Sequence, residues 1–351
     1  MVRAGIPSVK ITPERTNTWN LGLDVAMFNN RLTFSLDYFD SRSKDLIMPV
    51  TISSVYGTDC MYRNLGEVSN KGIEFGAQLA LIQNRDFKWY VGGTISTNKN
   101  EVKSLGGENS MILSMSDGSA VISEVGQPLY SFYGYQTDGV FATDDAVVAA
   151  GKDGQALTNA IGVAFAAGDM RFVDQNGDGK IDKEDRVNLG NALPDFYGTF
   201  YTNFQYKGLA VSAVFGYSKG NKMYNAVRRT MESMSDFSNQ LTSVTRRWMY
   251  EGQITDIPRA VYGDPMENSR FSDRWIEDAS YLKLKELMVS YKFNLFAGTT
   301  VFVAAENLFT ATKYLGMDPE TMYSYDSSMR GFDYGKIASP RTVKLGFKVQ
   351  F

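Results

Sequence analysis

The feature that most constrains this chain is an alternation of apolar and polar residues in steps of two. The clearest instance is the last. Val343, Leu345, Phe347, Val349 and Phe351 alternate with Thr342, Lys344, Gly346, Lys348 and Gln350, so one face is apolar and the other polar or glycine. A segment with this period is a strand with an oily side and a wet side. It does not suit a helix, whose faces repeat every ~3.6 residues.

The same period recurs upstream. Trp19, Leu21, Leu23, Val25 and Met27 share one parity, and after Asn29-Asn30 so do Leu32, Phe34, Leu36 and Tyr38. Asparagine tolerates positive φ, so Asn29-Asn30 predicts a two-residue hairpin turn. Ile73, Phe75, Ala77, Leu79 and Leu81 follow, then Phe87, Trp89, Val91 and Ile95 beyond a turn at 83–86. Phe196, Phe200, Phe204 and Tyr206 lead through Lys207-Gly208 into Leu209, Val211, Ala213, Phe215 and Tyr217. Residues 281–291 and 300–310 are less regular, and the phase slip between Leu284 and Leu287 predicts a bulge.

The connections fall into two classes that alternate. Short ones lie at 29–30, 83–86, 207–208 and roughly 292–299; long ones at 49–69, 104–196, 220–280 and 311–340. Nine strands with short turns at one end and long loops at the other is the asymmetry of an outer-membrane β-barrel. Several runs reach the about 9–11 residues that cross a bilayer as a tilted strand. The fold class expected is therefore all-β, a transmembrane antiparallel barrel. Tyr130–Phe141 also reads as strand, but as a spanning strand it would break the up–down parity. It is placed inside the 104–196 connection, as part of a folded extracellular loop. Residues 223–252 lack alternation and are expected to be partly helical.

Composition removes other classes. The chain has no His and one Cys, which excludes a Ser-His-Asp triad, a disulfide within the chain and thiolate metal clusters. The net charge of −3 gives no reason to expect nucleic acid as a partner. A mean hydropathy of −0.25 is compatible with a barrel, because alternating strands average to polar. Residues 1–15 contain no apolar signal-peptide core, which reads as a cytosolic protein, a mature chain or a fragment. No enzyme is expected: only a glycosidase working with carboxylates alone would fit this composition.

Seven phrases, in order, carry a family likeness: ERTNTWNLGLD (14–24), NNRLTFSLDYFDSRSKDLI (29–47), NLGEVSNKGIEFG (64–76), DQNGDGKIDKEDRVNLGNALPDFYGTF (174–200), DASYLKLKELMVSY (278–291), AENLFTATKYLGMDPE (305–320) and SPRTVKLGFKVQF (339–351). Together they resemble the C-terminal barrel of SusC/RagA-type TonB-linked outer-membrane transporters. The resemblance implies a twenty-two-stranded barrel, of which residues 1–351 would supply about the last nine strands. It implies a missing N-terminal plug and barrel segment, a SusD-like lid lipoprotein, and energy from the TonB complex through the plug. It also implies oligosaccharide or peptide cargo, outer-membrane lipid around the wall, and a periplasmic C-terminus. A passive porin-like or adhesive barrel is the competing reading.

Three groups of residues stand out as sites. Asp174, Asn176, Asp178, Lys180 (through its carbonyl), Asp182 and Asp185 fall at the oxygen-donor spacing of an EF-hand-like loop, with Gly179 at the sharp turn. They predict bound Ca²⁺; the competing reading is a loop of Asx turns. Phe347, Val349 and Phe351 are expected to form an assembly signal. Trp19, Trp89, Tyr38, Tyr201, Tyr206, Tyr217, Tyr281 and Tyr291 are expected mostly in interfacial girdles. Tyr56, Tyr62, Tyr130, Tyr133, Tyr135, Tyr323 and Tyr325 are candidates for cargo or lid contact. Cys60 is placed in a loop, and Asp318-Pro319-Glu320 is read as structural.

Overall fold

The computed structural model describes residues 11–53, 55, 60–293 and 298–349. Nine strands pair in chain order as one antiparallel meander. They are β1 (Arg15–Met27), β2 (Leu32–Thr51), β3 (Cys60–Gln83), β4 (Phe87–Leu105), β5 (Phe196–Tyr206), β6 (Leu209–Lys219), β7 (Tyr281–Phe293), β8 (Thr299–Thr312) and β9 (Thr342–Val349). The sheet does not close: β1 and β9 are its two edges. Among the described residues no helix is long and apolar enough to cross a membrane.

Register turns the alternation of each strand into one continuous apolar face. Leu23 lies opposite Leu36, Leu36 opposite Phe75, and Phe75 opposite Ile95. Phe200 pairs with Phe215, their rings stacked 4.4 Å apart. Val211, Val289, Val303 and Leu345 form a row across four strands. In water this face would be an interaction surface of unusual size; against hydrocarbon it is the favoured arrangement. The other face is polar. Thr94 and Thr199 share a hydrogen bond of 3.0 Å, and Tyr201 donates to Gln78 at 2.8 Å. Gly92 leaves room there, since a Cβ on it would come within 2.5 Å of the Tyr201 ring.

The short turns lie at one end. Lys207-Gly208 is a two-residue turn, with Lys207 at φ 50° and Tyr206 paired to Leu209. Gly208 is required by close approach: a Cβ would sit 2.6 Å from the Lys292 carbonyl. The first turn is longer than expected. Pairing stops at Met27 and Leu32, so residues 28–31 form the loop, with Phe28, Asn29 and Asn30 all at positive φ. The fourth short connection falls largely on residues 294–297, outside the described residues. The bulge expected in β7 is present, as a register shift between Leu284 and Glu286.

At the other end the 49–69 connection is much shorter than expected, because β2 and β3 stay paired from Thr51–Cys60 downward. Cys60 therefore begins a strand rather than lying in a loop, and Tyr62 is paired with Pro49. Apolar alternation ends well before the hydrogen-bonded ladder does, and only the former is visible in sequence.

The buried core sits in the remaining long connections, which fold together. Phe132, Tyr224, Phe271, Trp275 and Phe332 come from three different connections and form one cluster. The Tyr224 ring meets Phe271 edge-on at 4.8 Å and Phe332 at 5.5 Å. A second cluster holds Phe141, Leu157, Phe165, Met170, Phe172 and Ile181. Residues 131–135 and 137–140 are strands of small separate sheets, as parity required. Two short helices complete the layer. In α1 (Asp144–Ala150) the Thr143 side chain accepts from the Ala146 N–H, and in α2 (Ala226–Glu232) Asn225 does the same for Arg228. The helix expected within 223–252 is thus short, and a strand at Lys222–Asn225 precedes it.

Candidate functional site

Where the polar face meets the folded loops, two adjoining cavities of about 370 and 270 Å³ share Asn98, Leu193 and Arg330. Their floor is built by strand pairing. Asn70 on β3 is opposite Asn100 on β4, and its Oδ1 accepts from Asn98 Nδ2 at 3.2 Å and from Asn100 Nδ2 at 2.8 Å. Asn100 Oδ1 accepts from the Leu129 N–H at 2.8 Å, tying the loops to the wall. Asn98 Oδ1 is buried and has no hydrogen-bond partner. Arg330 leaves the 3₁₀ turn Ser327–Met329, which Asp326 caps through the Ser328 N–H. Its backbone N–H is held by the Ser327 carbonyl at 3.3 Å.

Beside this groove lies a buried ion cluster. Lys283 on β7 is only 3% exposed and reaches Asp318 at 3.1 Å and Glu320 at 3.0 Å. Lys285 also pairs with Glu320, and Tyr281 donates to it at 2.9 Å. Burial works against a charged Glu320, but the hydrogen bonds from Lys285, Lys283 and Tyr281 outweigh it and hold its pKa below the ordinary 4.5. Asp318 further accepts from the Ser339 N–H at 3.3 Å. Both carboxylates are committed to cations, so Asp318-Pro319-Glu320 pins the connection before β9 to the wall, in keeping with its structural reading.

The Asp174–Asp185 loop has the oxygen-rich donor set that Ca²⁺ takes. Its side chains, however, turn onto the loop's own amides. Asp174 accepts from the N–H groups of Gly177 (2.7 Å) and Gly179 (2.8 Å), Asn176 from Asp178 (3.0 Å) and Asp178 from Lys180 (2.9 Å). Asp182 and Asp185 form a reciprocal capping box at the 3₁₀ turn Lys183–Asp185. Asp185 is fully buried, and its second oxygen accepts from the Gln175 N–H at 2.9 Å. Lys180 lies in a short parallel bridge with Thr158. Among the described residues no three His, Cys, Asp or Glu side chains converge as a metal group would require.

Strand β9 places Phe347 and Val349 opposite Val301 and Thr299. Phe347 is 76% exposed on the apolar face; Phe351 lies outside the described residues.

Residues 4–308 match the family model described as TonB dependent receptor-like, beta-barrel. The chain belongs to this family. Its SusC/RagA-type character is carried by the relatives and by the fold. TonB-dependent receptor P3 of Formosa agariphila is 31% identical over 96% of the chain, and TonB-dependent receptor SusC of Bacteroides thetaiotaomicron is 27% identical over 96%. The structure of the RagAB peptide transporter superposes with a TM-score of 0.76 at 24% identity over 95% of the chain. The chain spans 34%, 32% and 35% of the length of those three proteins, respectively.

In this receptor barrel the aromatic expectations divide. Trp19, Tyr38, Trp89, Tyr206, Tyr217 and Tyr291 share the parity of the apolar face, as a girdle requires. Tyr201 and Tyr281 do not; both point to the polar face, toward Gln78 and Glu320. Of the loop tyrosines, Tyr325 is almost fully exposed and Tyr323 is half-exposed, while Tyr56 lies outside the described residues. Tyr133 and Tyr135 are strand residues in the loop layer, each under a guanidinium, those of Arg186 and Arg270. The sequence reading missed the Asn70–Asn98–Asn100 floor. Its signal was present: asparagine is depleted in strands, yet here two recur at the same parity of one strand and a third faces them.

Proposed function

We propose that this chain forms part of the wall and the extracellular mouth of a TonB-dependent outer-membrane importer of oligosaccharides or peptides. The observation that carries the reading is the open nine-stranded sheet, apolar on one face and polar on the other, with the folded loop layer, among the described residues, at one end. Closure of such a sheet in lipid takes further strands and, on this reading, a plug, both supplied by polypeptide outside residues 1–351. Short turns mark the periplasmic end of outer-membrane barrels, and β9 finishes beside one of them, so its C-terminal end is periplasmic. A SusD-like lipoprotein would rest on the loop layer, and the TonB complex would act through the plug.

The test is uptake. Cells lacking the receptor should lose growth on one class of oligosaccharide or peptide, and loss of TonB should have the same effect. Uptake that needs the receptor but not TonB would favour a passive barrel, and unchanged uptake of every cargo would favour an adhesive one.

A further inference from the structure

Resting on the import reading, we propose that the groove between Asn98 and Arg330 is a cargo subsite that recognises a carboxylate. Among the described residues, the exposed Arg330 guanidinium makes no hydrogen bond and no ion pair, while its backbone is fixed by the turn before it. An arginine has five donors in a planar fork and no acceptor, which matches the two oxygens of a carboxylate. The other charges lining the two cavities, Lys285 and Glu320, neutralise each other. Arg330 is therefore the one uncompensated charge among the described residues of the lining.

The second observation is independent of the first. Asn98 Oδ1 is buried and unpaired, and an unpaired buried acceptor is costly. Its own Nδ2 is engaged by Asn70, so the amide is oriented with the oxygen left free. A cargo that sets a carboxylate on Arg330 and an N–H or O–H on Asn98 satisfies both groups. Peptides do this with a terminal carboxylate and a backbone amide; acidic sugars do it with a uronate and a ring hydroxyl. The shared chemistry is an anionic carboxylate next to a hydrogen-bond donor.

Four probes separate the sources: a tetra-alanine peptide, its C-terminal amide, a uronic-acid trisaccharide and its methyl ester. Binding to the complete purified receptor is measured by calorimetry. Native receptor should prefer one acid over its neutral partner by about tenfold. Arg330→Gln should abolish that preference with the neutral probe unchanged, and Arg330→Lys should restore part of it. Asn98→Ala should weaken acid and neutral probes alike. Which acid is preferred identifies the source.

Equal binding of acid and neutral probes, binding of none of the four, or an unchanged preference in Arg330→Gln would each overturn the subsite. The import reading is scored separately, by receptor-dependent uptake in cells. It stands if uptake persists while the carboxylate preference is absent, and it falls if deleting the receptor changes no uptake.

Discussion

Glu320 shows how a single side chain couples charge to architecture here. It lies in the connection before β9, and its partners Lys283, Lys285 and Tyr281 all belong to β7. Its folded pKa lies below 4.5, so the folded state prefers the charged form. The stability it contributes is present above that ordinary value and is lost as pH falls through the lower folded one. The assembled receptor should therefore lose heat resistance on the acid side of pH 4.5, and Glu320→Gln should flatten that loss. A profile identical in the variant would show that Glu320 does not carry the effect. The Asp318-Pro319-Glu320 motif was legible in sequence; its partners were not. Lys283 is 35 positions away, and nothing in the period of β7 says which lysine meets which acid.

At the scale of elements, strands with one apolar face were legible and the rest was not. Alternation located all nine strands, and a phase slip located the bulge in β7. It failed at Cys60, where pairing continues among residues such as Arg63 and Met48 that carry no alternation. It also gave no outline of the loop layer, whose strands are often two to five residues long and whose core joins Phe132, Tyr224, Trp275 and Phe332 across the sequence. Trp275 is the largest fully buried side chain there, and its Nε1 donates to the Arg270 carbonyl. Trp275→Ala should cost about 3–5 kcal/mol. It should open the loops to protease while the sheet stays protected; protection of both would place the core elsewhere. The Asp174–Asp185 spacing reads equally as donor set and as capping box, because both need oxygens at fixed intervals. Calcium in this loop is a proposal. Saturable heat on titrating the assembled receptor, abolished by Asp178→Ala with Asp182→Ala, would support it, and no heat would remove it. Deleting Phe351 should lower the amount of receptor in the outer membrane if the last strand is an assembly signal. Unchanged levels would leave it as a strand and no more.

At the scale of the molecule, the edges decide what the chain is part of. Trp19 and Leu21 on β1 and Leu345 and Phe347 on β9 are 76–81% exposed, against 40–41% for Phe200 and Val289 in the middle of the same face. The difference is a missing neighbour on each side. Within lipid each unpaired backbone group costs several kcal/mol, so neither edge is tolerated open. The sequence carries the strand count and the two faces, but no pattern in it says what pairs with the two edges. The direct measurement is hydrogen exchange on the complete receptor in outer-membrane vesicles. The outward-pointing amides of β1 and β9 should exchange as slowly as those of β5 and β6, because both edges are paired in the closed wall. Fast exchange confined to β1 and β9 would contradict the account and leave these nine strands as an open sheet.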